Sequence, residues 1–537
     1  MEELLLELEE LRNKNKKADA RVAELEQLVR YYEERLRLSQ QKRFAASSEK
    51  SDGQRLLDFG LFDEAENEAN PKLQEPVIEE ITYKRRKQTG KRDDDLSELP
   101  VERVEHVLSG EERVCPVCGE QMHTMGHETR RELEIIPAQV RVVEHVREVC
   151  SCRKCEREGT TVPIIKATMP EPVIKGSIAS ASSIAHVMVQ KYINAVPLYR
   201  QEQEFLQNGF LLSRQTMANW MLRAAVDWLE PLYALMRVQL LSESVLHADE
   251  TVLQVLREPG RASRAQSFMW LYCTGSESSV EIALYEYQPT RSSTHPKRFL
   301  AEFEGYLHTD GYAGYNSLPL SVIHVGCWAH ARRKFDEAVK SAPPEERENT
   351  AAQTGLSYCN HLFALEREYQ NLSPEDRYTE RIKRSKPILD AFFSWAKSID
   401  TPPKSALGKG IHYALGQRSQ LENVLLDGRL ELSNNLAERR IKPFVIGRKN
   451  WLFSCTPKGA RASAVIYSII ETAKANKLKP FAYLKHVLEA MPNTRPADHE
   501  RLLPWSKSLP EQCRLNAHEE HAQQTEISKL ASDPEAE

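Results

Sequence analysis

The chain has 537 residues, of which 73 are lysine or arginine and 78 are aspartate or glutamate, and its formal net charge is -5. At roughly 100 to 200 residues per domain, this length predicts several domains, and an apolar fraction of 41% excludes wholesale disorder. Because acidic and basic residues nearly balance, any nucleic-acid-binding surface has to be local. No uncharged apolar run approaches the roughly 18 residues of a membrane span, and the acidic start is unlike a signal peptide. We therefore expect a cytoplasmic protein.

Residues 1–44 carry apolar side chains at alternating spacings of three and four. This register predicts a coiled coil through which copies of the chain associate, with Asn15 as a polar seam residue. The alternative is a single amphipathic helix that packs on its own globule. The seam consists of Leu4, Leu8, Leu11, Ala18, Val22, Leu25, Val29, Tyr32 and Leu36.

Residues 45–96 are polar and acidic with prolines, and then become basic in the run KRRKQTGKR. Such a composition cannot bury enough apolar surface to offset the entropy of ordering the chain, so a disordered linker is predicted. The basic run either contacts DNA phosphates or is simply solvated.

Residues 97–165 contain two Cys-x-x-Cys pairs. Each pair offers two thiolates from one turn, and four thiolates satisfy tetrahedral Zn²⁺, so we predict a closed structural zinc site. A thioredoxin-type redox motif needs no second pair, and disulfides are disfavoured in a reducing compartment. Cys150 is a spare thiol, and His123 and His127 are weaker candidates that we interpret as surface residues. The predicted zinc ligands are Cys115, Cys118, Cys152 and Cys155.

Residues 166–240 have helical periodicity. Pro197 opens one helix, Gly209 closes it, and Ser213 caps a second. Two helices across a short turn have the spacing of a helix-turn-helix motif, although ordinary helix packing gives the same spacing. In a DNA-binding version, the residues of the second helix that face the major groove would be Arg214, Gln215 and Asn219.

Residues 241–340 contain strand-like segments such as VLHADETVLQVL and SFMWLYCTG, and then a strand and a helix in LSVIHVGCWAHARRKF. This pattern predicts an α/β sheet. Residues 341–430 are predicted to be helical, residues 431–491 form a helix-rich block, and residues 492–537 are predicted to be a loose polar tail.

Three acidic residues stand out by their context. Asp249 lies in an apolar strand (LHADET), Asp310 at a strand end (YLHTDGY), and Glu438 near the start of a helix (SNNLAERRIKPF) that Ser433 or Asn434 can cap. Two strand aspartates and a helix glutamate are the oxygen ligands that a two-Mg²⁺ phosphoryl-transfer site requires. The alternative is that each acid only caps a turn or pairs locally.

Basic residues follow Glu438 without any aspartate or glutamate from 439 to 461, which predicts a local phosphate-binding surface. Trp451 and Phe453 interleave with these charges and either stack on bases or pack in the core. Three further residues in CWAHARRKF, His330, Arg332 and Arg333, either contact phosphate or support the site from behind. The basic residues are Arg439, Arg440, Lys442, Arg448, Lys449, Lys458 and Arg461.

Taken together, these segments resemble transposases of the insertion-sequence-66 family of bacterial mobile elements. The resemblance covers most of the chain and rests on several long motifs in the same order. They are QKRFAASSEK, CPVCG and CRKC, LHADET, LHTDGYAGY, CWAHARRKF, SNNLAERRIKPFVIGRKNWLF and YSIIETAKANKLKP.

The resemblance implies a multidomain protein of α/β and all-α parts. Its parts would be an N-terminal coiled coil, a small zinc-binding module, a helix-turn-helix-like region and a ribonuclease-H-like DDE domain with a helical insertion. Asp249, Asp310 and Glu438 would be the catalytic triad and would hold two Mg²⁺ or Mn²⁺ ions. Glu431 and Glu471 are nearby acids, and Glu438 is preferred because it lies in NNLAER.

The resemblance also implies an enzyme that binds the terminal inverted repeats of its element and catalyses metal-dependent DNA cleavage and strand transfer. Its partners would be those repeats, target DNA, a second copy bound through the coiled coil, and small accessory proteins of the same element. It would act at the bacterial nucleoid. Two alternatives remain, a non-catalytic zinc-containing DNA-binding regulator derived from a transposase and a simple nuclease.

Overall fold

The computed structural model describes most of the chain from residue 140 onward. The predicted zinc ligands, the predicted linker and most of the predicted coiled coil lie outside the described residues. The chain divides into two units, residues 1–46 with 142–537 and residues 47–141, and nearly all described residues belong to the first. No described helix is long and apolar enough to cross a membrane. The described residues are 15, 16, 21, 22, 25, 28, 29, 31–37, 140–151, 157 and 164–516.

Between residues 140 and 241, the described part of the chain forms two short strands and four helices. Strand β1 (Val149–Ser151) pairs antiparallel with β2 (Ile164–Lys166). Serine caps begin two of the helices, because Ser180 accepts a hydrogen bond from the Ser183 amide and Ser213 accepts one from the Thr216 amide. The helices are α1 (Ala181–Tyr192), α2 (Leu198–Gln207), α3 (Arg214–Ala224) and α4 (Glu230–Leu241), with a π-helical turn at Ala225–Leu229.

Five strands form one mixed sheet around the long central strand β3 (Val245–Gln254), in the spatial order β5-β4-β3-β6-β7. On one side, β4 (Gln266–Thr274) pairs antiparallel with β3, and β5 (Ala283–Gln288) pairs antiparallel with β4. On the other side, β6 (Gly305–His308) runs parallel to β3, and β7 (Val322–Val325) runs parallel to β6. The short helix α5 (Thr294–Phe299) connects β5 to β6.

The central strands are rich in apolar and aromatic residues, as expected for a sheet covered on both faces. Trp270, Tyr272 and Tyr285 are fully buried. Gly305 begins β6 with a φ of +143°, and a Cβ at this position would lie 2.4 Å from the Ser244 carbonyl oxygen. Glycine therefore lets β6 approach β3 closely enough to pair with it.

Helices follow the sheet in two groups. The first group forms a second apolar core around Phe335, Phe392 and Trp328, and it occupies the region predicted to be a helical insertion. It comprises α6 (Trp328–Ser341), α7 (Ala351–Glu368), α8 (Pro374–Glu380), α9 (Lys386–Ser398), α10 (Ala406–Gly416) and α11 (Arg418–Glu422). The second group returns to the main core and comprises α12 (Asn435–Trp451), α13 (Pro457–Ala475) and α14 (Pro480–Ala490).

Both edge strands of the sheet are hydrogen-bonded by groups outside it. On β5, the Tyr285 amide donates to Ser468 Oγ of α13 at 2.8 Å, and the Ala283 amide donates to Thr472 Oγ1 at 3.1 Å. On β7, Asn423 Nδ2 donates to the His324 carbonyl at 2.8 Å. These contacts satisfy backbone groups that an exposed edge strand would leave open.

The chain after α14 does not form the loose tail that the sequence predicts, at least as far as residue 516. Leu502, Leu503 and Leu509 are buried in the main core. The Lys479 amide also donates to the Cys513 carbonyl at 2.8 Å. The prediction was wrong here because a few spaced leucines are enough to dock a segment whose average composition is polar.

The described residues 31–37 are helical and contact the helical insertion. Arg37 Nη1 donates to the Ser341 carbonyl at 3.3 Å, and the Ala406 amide donates to Glu34 Oε2 at 3.2 Å. Tyr32 and Leu36, both predicted seam residues, are each 59% exposed. The polar side of this helix therefore contacts the insertion while its apolar seam remains exposed.

Candidate active site

Asp249 and Asp310 occupy equivalent positions on two neighbouring parallel strands. His247 of β3 is paired in register with His308 of β6, and each aspartate follows its histidine by two residues. Asp249 is only 4% exposed. Its Oδ1 accepts a hydrogen bond from the Glu250 amide at 2.9 Å, and Asp310 Oδ1 accepts one from the Tyr312 amide at 3.0 Å. The sheet register therefore places the two predicted carboxylates side by side, toward the C-terminal ends of β3 and β6.

Asn434 ties the start of α12 to the central strand. Its side-chain Nδ2 donates to the carbonyl of Ala248, the residue before Asp249, at 2.9 Å. Its backbone amide donates to Cys327 Sγ at 3.2 Å. The Asn434 side chain makes no capping hydrogen bond, contrary to one sequence-based option, because β3 engages it instead. Glu438 lies one helical turn further on, since its amide donates to the Asn434 carbonyl at 3.2 Å. Asn434 thus holds the turn that carries Glu438 against the strand that carries Asp249.

His330 connects Glu438 to the segment of Asp310. Its Nε2 lies 3.0 Å from Glu438 Oε1, and its Nδ1 lies 3.4 Å from the Asp310 carbonyl oxygen. Arg333 Nη2 lies 4.0 Å from Glu438 Oε2. Both neighbours of the His330 ring are oxygen acceptors. Two residues of the CWAHARRKF motif therefore face the third predicted carboxylate rather than open solvent.

The competing acids have other surroundings. Glu471 is buried on α13 and pairs with Lys474 at 3.0 Å. Glu431 Oε1 lies 3.9 Å from His247 Nε2, and its amide donates to His308 Nε2 at 3.3 Å. Glu431 thus contacts the two buried histidines His247 and His308, whereas Glu438 is linked through His330 to the backbone of Asp310.

The carboxylates are suitable ligands for a hard divalent cation, because Mg²⁺ and Mn²⁺ prefer oxygen donors. Among the described residues, no three histidine, cysteine, aspartate or glutamate side chains already stand together as a metal-binding group. Glu438 is instead directed toward His330 and Arg333. The donor chemistry fits the predicted cations, and the Arg333 guanidinium lies close enough to offset part of the charge of Glu438.

His247 and His308 form a buried stacked pair beside the site, with ring centroids 4.2 Å apart and planes within 6°. Because Asn434 Nδ2 donates to Ala248, its Oδ1 is left to accept from His247 Nδ1 at 3.0 Å. Burial lowers the pKa of His247 and lowers the pKa of His308 further, where the charge of His247 adds to the effect. Both rings are therefore neutral at pH 7.

This pair predicts acid-sensitive stability. An unfolded histidine titrates near pH 6.5, whereas these two stay neutral in the folded protein to lower pH. The folded state therefore loses stability as the pH falls below about 6.5, by up to about 1.4 kcal/mol per pH unit for each histidine. Denaturant unfolding of His308→Gln between pH 7.5 and 5.5 should show a shallower pH dependence than wild type. The exposed His361→Gln should match wild type, and equal slopes in all three proteins would contradict this explanation.

A charged and aromatic cluster braces both aspartate segments. Arg291 Nε donates to Glu250 Oε1 at 2.8 Å, and the Tyr315 hydroxyl donates to Glu250 Oε2 at 2.8 Å. The Arg291 guanidinium lies 3.7 Å from the Tyr312 ring centroid, and the Tyr312 hydroxyl donates to the Arg291 carbonyl at 2.6 Å. Because Glu250 follows Asp249 and the Tyr312 amide binds Asp310, we call these four residues the aspartate brace.

Tyr312 offers a direct test of the aspartate brace. Tyr312→Ala removes the ring under Arg291 but keeps the backbone amide that binds Asp310, so we expect Asp310 to be less well positioned. DNA cleavage should slow about tenfold and require more divalent cation for half-maximal rate. Tyr312→Phe, which keeps the ring, should stay near wild type. An unchanged cation requirement in Tyr312→Ala would remove the positioning role.

The residues predicted to contact DNA from α3 are on its surface. Arg214, Gln215 and Asn219 are exposed, and the Arg214 guanidinium lies 5.8 Å from the Tyr199 ring of α2. Trp220, on the opposite side, is buried in the main core. The helix pair therefore has an apolar inner side and a polar outer side, as either predicted role requires.

The predicted basic residues after Glu438 divide into two sets. Arg439, Lys442 and Lys449 are exposed along one side of α12. Lys458 and Arg461 are also exposed, at the start of α13. Arg440 instead pairs with Glu281 and Arg448 donates to the Val252 carbonyl, and in α6 Arg332 donates to Asn360 Oδ1 at 2.7 Å. Phe453 is 38% exposed, whereas Trp451 packs against Phe444 with centroids 5.6 Å apart. The exposed basic side of α12 begins next to Glu438.

Sequence reasoning missed several residues around the site. Asn434 had a signal, since it stands in SNNLAER four residues before Glu438, but it was considered only as a cap. His247 and His308 also stand two residues before the two aspartates in LHADET and LHTDG. Arg291 had no signal, because only the folded sheet brings it to Glu250.

Comparisons with known proteins agree with these motifs. A model described as "Transposase IS66 family" matches residues 176–462, which includes all three predicted catalytic acids. Models described as "zinc-finger binding domain of transposase IS66" and "IS66 C-terminal element" match residues 112–156 and 468–505. A fourth, "Transposase C of IS166 homeodomain", matches residues 31–104. The match at 112–156 spans the four predicted zinc ligands.

Similar proteins occur in Sinorhizobium fredii. The uncharacterized protein y4jD is 33% identical over 423 residues, which cover 75% of this chain and 80% of y4jD. The uncharacterized protein y4qI is 31% identical over 425 residues, which cover 76% of each chain. An α/β domain with a transposase-family match over more than half of the chain defines the class as a transposase. The chain belongs to the IS66 transposase family, as the sequence motifs predicted.

Proposed function

We propose that this protein is an active DNA transposase that cleaves DNA at the ends of its element and joins them to target DNA. The observation that carries the proposal is the arrangement of Asp249 and Asp310 at equivalent positions of paired parallel strands, with Glu438 one turn into the helix that Asn434 attaches to β3. The order β5-β4-β3-β6-β7, with three antiparallel strands followed by two parallel ones, supports a ribonuclease-H-like domain.

In this proposal, Asp249, Asp310 and Glu438 hold two divalent cations, Mg²⁺ or Mn²⁺. Such ions activate the attacking oxygen and stabilise the leaving oxygen of a phosphodiester. The aspartate brace keeps the two strand carboxylates at a fixed separation. His330 and Arg333 orient Glu438 and offer positive charge at the edge of the site. Cleavage by water frees a 3′ hydroxyl, and that hydroxyl then attacks target DNA in a second displacement of the same kind.

DNA recognition is assigned to the parts that precede the sheet and to α12. Arg214, Gln215 and Asn219 of α3 read the terminal inverted repeat, and Arg439, Lys442 and Lys449 contact phosphates near the site. The four cysteines bind a structural Zn²⁺ in the module that the zinc-finger model matches. Small accessory proteins of the same element would act with this chain at the nucleoid.

Self-association through the N-terminal helix would bring two element ends together. The exposed apolar residues of its described part support this role, because an apolar seam in water is covered most simply by a second copy. These residues are Val22, Leu25, Val29, Tyr32 and Leu36.

The test is an end-cleavage and joining assay with the full-length protein. A labelled duplex that carries one inverted repeat with its flanking DNA is incubated with a target plasmid and Mg²⁺ or Mn²⁺. A transposase cleaves at the repeat boundary and joins the new 3′ end to the plasmid. Cleavage of random duplexes without joining would favour a nuclease, and repeat-specific binding without any cleavage would favour the regulator.

A further inference from the structure

A basic cleft lies between α6 and α10, outside the regions already assigned to DNA. It has a volume of about 380 Å³, within the range of sites that hold small ligands. Two lysines and one histidine converge on it from different parts of the chain, together with an aromatic ring and an amide. Its principal lining residues are Lys334, Lys409, His412, Tyr413 and Gln417.

The charge of the cleft has one sign over a long stretch of sequence. Residues 401–421 contain Lys404, Lys409 and Arg418 but no aspartate or glutamate, although the whole chain is acidic. Lys409 and His412 are exposed on α10. The insertion therefore carries a second acid-free basic stretch, in addition to the stretch that follows Glu438.

The cleft depends on a close helix crossing. A Cβ at Gly410 of α10 would lie 3.3 Å from the Phe335 ring of α6, so glycine allows the two helices to approach. The crossing brings Lys334 Nζ to 5.0 Å from the Tyr413 ring centroid, where the ring face favours a cation.

The cleft is continuous with the candidate active site. The Tyr413 hydroxyl donates to the Asp310 carbonyl at 3.2 Å, and burial raises the pKa of Tyr413, so this hydroxyl remains a donor. The Gln417 amide carbon lies 3.1 Å from the position of a Cβ at Gly311, the residue after Asp310. Gln417 Oε1 is buried and has no hydrogen-bond partner among the described residues.

The spacing along α6 indicates what the ligand is. His330 faces Glu438, and Lys334 lines the cleft one turn later. Four residues of helix advance by about 6 Å, and one DNA strand advances by about 3.4 Å per nucleotide. A strand that runs along α6 from a scissile phosphate at the three carboxylates would therefore place another phosphate near the cleft, one or two nucleotides away.

We propose that this cleft binds a phosphate of the DNA strand one or two nucleotides from the scissile phosphate, with Lys334 and Lys409 as its cationic contacts. The inference rests on the proposed transposase function and adds the helical insertion to the DNA-binding surface. Lys334 and Lys409 would fix the position of the strand, so that the scissile phosphate stays between Asp249 and Asp310.

The test measures how single phosphate charges couple to single lysines. Full-length protein without added divalent cation is titrated with end duplexes in which one phosphate at a time, up to three on either side of the cleavage position, is a neutral methylphosphonate. For wild type, one position at one or two nucleotides should lower affinity about threefold to tenfold. Lys409→Ala should bind the natural duplex correspondingly less well and should no longer respond at that position.

Matched variants separate the possible outcomes. Lys334→Gln should reproduce Lys409→Ala, Lys409→Arg should keep the wild-type response, and Lys397→Ala on the surface of α9 should resemble wild type. The salt dependence of log K for Lys409→Ala should fall by about 0.9, the value for one lost phosphate contact. Suppose that the wild-type protein cleaves the element end, but that Lys409→Ala responds to the methylphosphonates as strongly as wild type does. This result would overturn the cleft proposal and leave the proposed function standing. A wild type that neither cleaves nor recognises the end would overturn the proposed function as well.

Discussion

Replacement of Asp249 with asparagine is expected to reduce cleavage at the element end by at least about a thousandfold, the upper range for one electrostatic group in an active site. The change keeps the shape of the side chain and its acceptor for the Glu250 amide but removes the charge that would hold a cation. Because Asp249 is only 4% exposed, its charge is costly to bury, and we expect the variant to be at least as stable as wild type. Single-turnover cleavage with excess protein measures the loss, and denaturant unfolding measures the stability.

Asp390→Asn is the matched control for this prediction. Asp390 lies exposed on α9, where it pairs with Lys386 at 2.7 Å, and its replacement should leave cleavage unchanged. Binding of end DNA should be similar for both variants when no divalent cation is present. If Asp249→Asn cleaves and joins DNA at the wild-type rate, the three-carboxylate mechanism fails.

The largest stability effect is expected for Glu366→Ala in α7. Glu366 accepts two hydrogen bonds from Arg381, at 2.8 and 2.6 Å, and Arg381 is only 1% exposed. Removal of the carboxylate leaves a guanidinium buried without its counter-charge, which typically costs about 3 to 5 kcal/mol. Arg381 also donates to the Val424 and Leu430 carbonyls, so the same change should loosen the segment that leads into α12.

Glu368→Ala, two residues further along α7, is the control. Glu368 pairs with Arg384 at 2.7 Å, but both side chains are well exposed, so solvent screens the pair and its loss should leave the free energy of unfolding close to wild type. Unfolding by denaturant, followed by circular dichroism, compares the two variants under one condition. If both lose the same small amount of stability, Arg381 is not a central contact of the insertion.

Much of the fold was predictable because it follows local rules. Strands such as Gln266–Thr274 are long apolar runs, and Ser213 stands at the start of a helix where a hydroxyl accepts a free amide. The tail was not predictable in this way. Leu502, Leu503 and Leu509 are a few apolar residues in a mostly polar segment, and their burial depends on the folded helices against which they pack.

The sequence suggests the three acidic residues of the candidate site but not the residues that support them. Asp249, Asp310 and Glu438 lie in distinctive motifs, so sequence alone suggests them. The contact between the Arg291 guanidinium and the Tyr312 ring joins the loop after β5 to the turn after β6. No spacing or motif in the sequence predicts this contact. The cleft was missed for a related reason, because Lys334 and Lys409 are 75 residues apart and meet only where Gly410 lets two helices cross.

The covered sheet edges limit how copies of this protein can assemble. Ser468 and Thr472 engage β5, and Asn423 engages β7, so a strand from another molecule would have to displace these contacts to pair with either border. Growth into a continuous intermolecular β-structure, a hazard wherever protein becomes concentrated on nucleic acid, would first require α13 to detach. The proposed association of two copies through the exposed seam of the N-terminal helix would need no change in this sheet, so its contacts could form and separate without opening the domain.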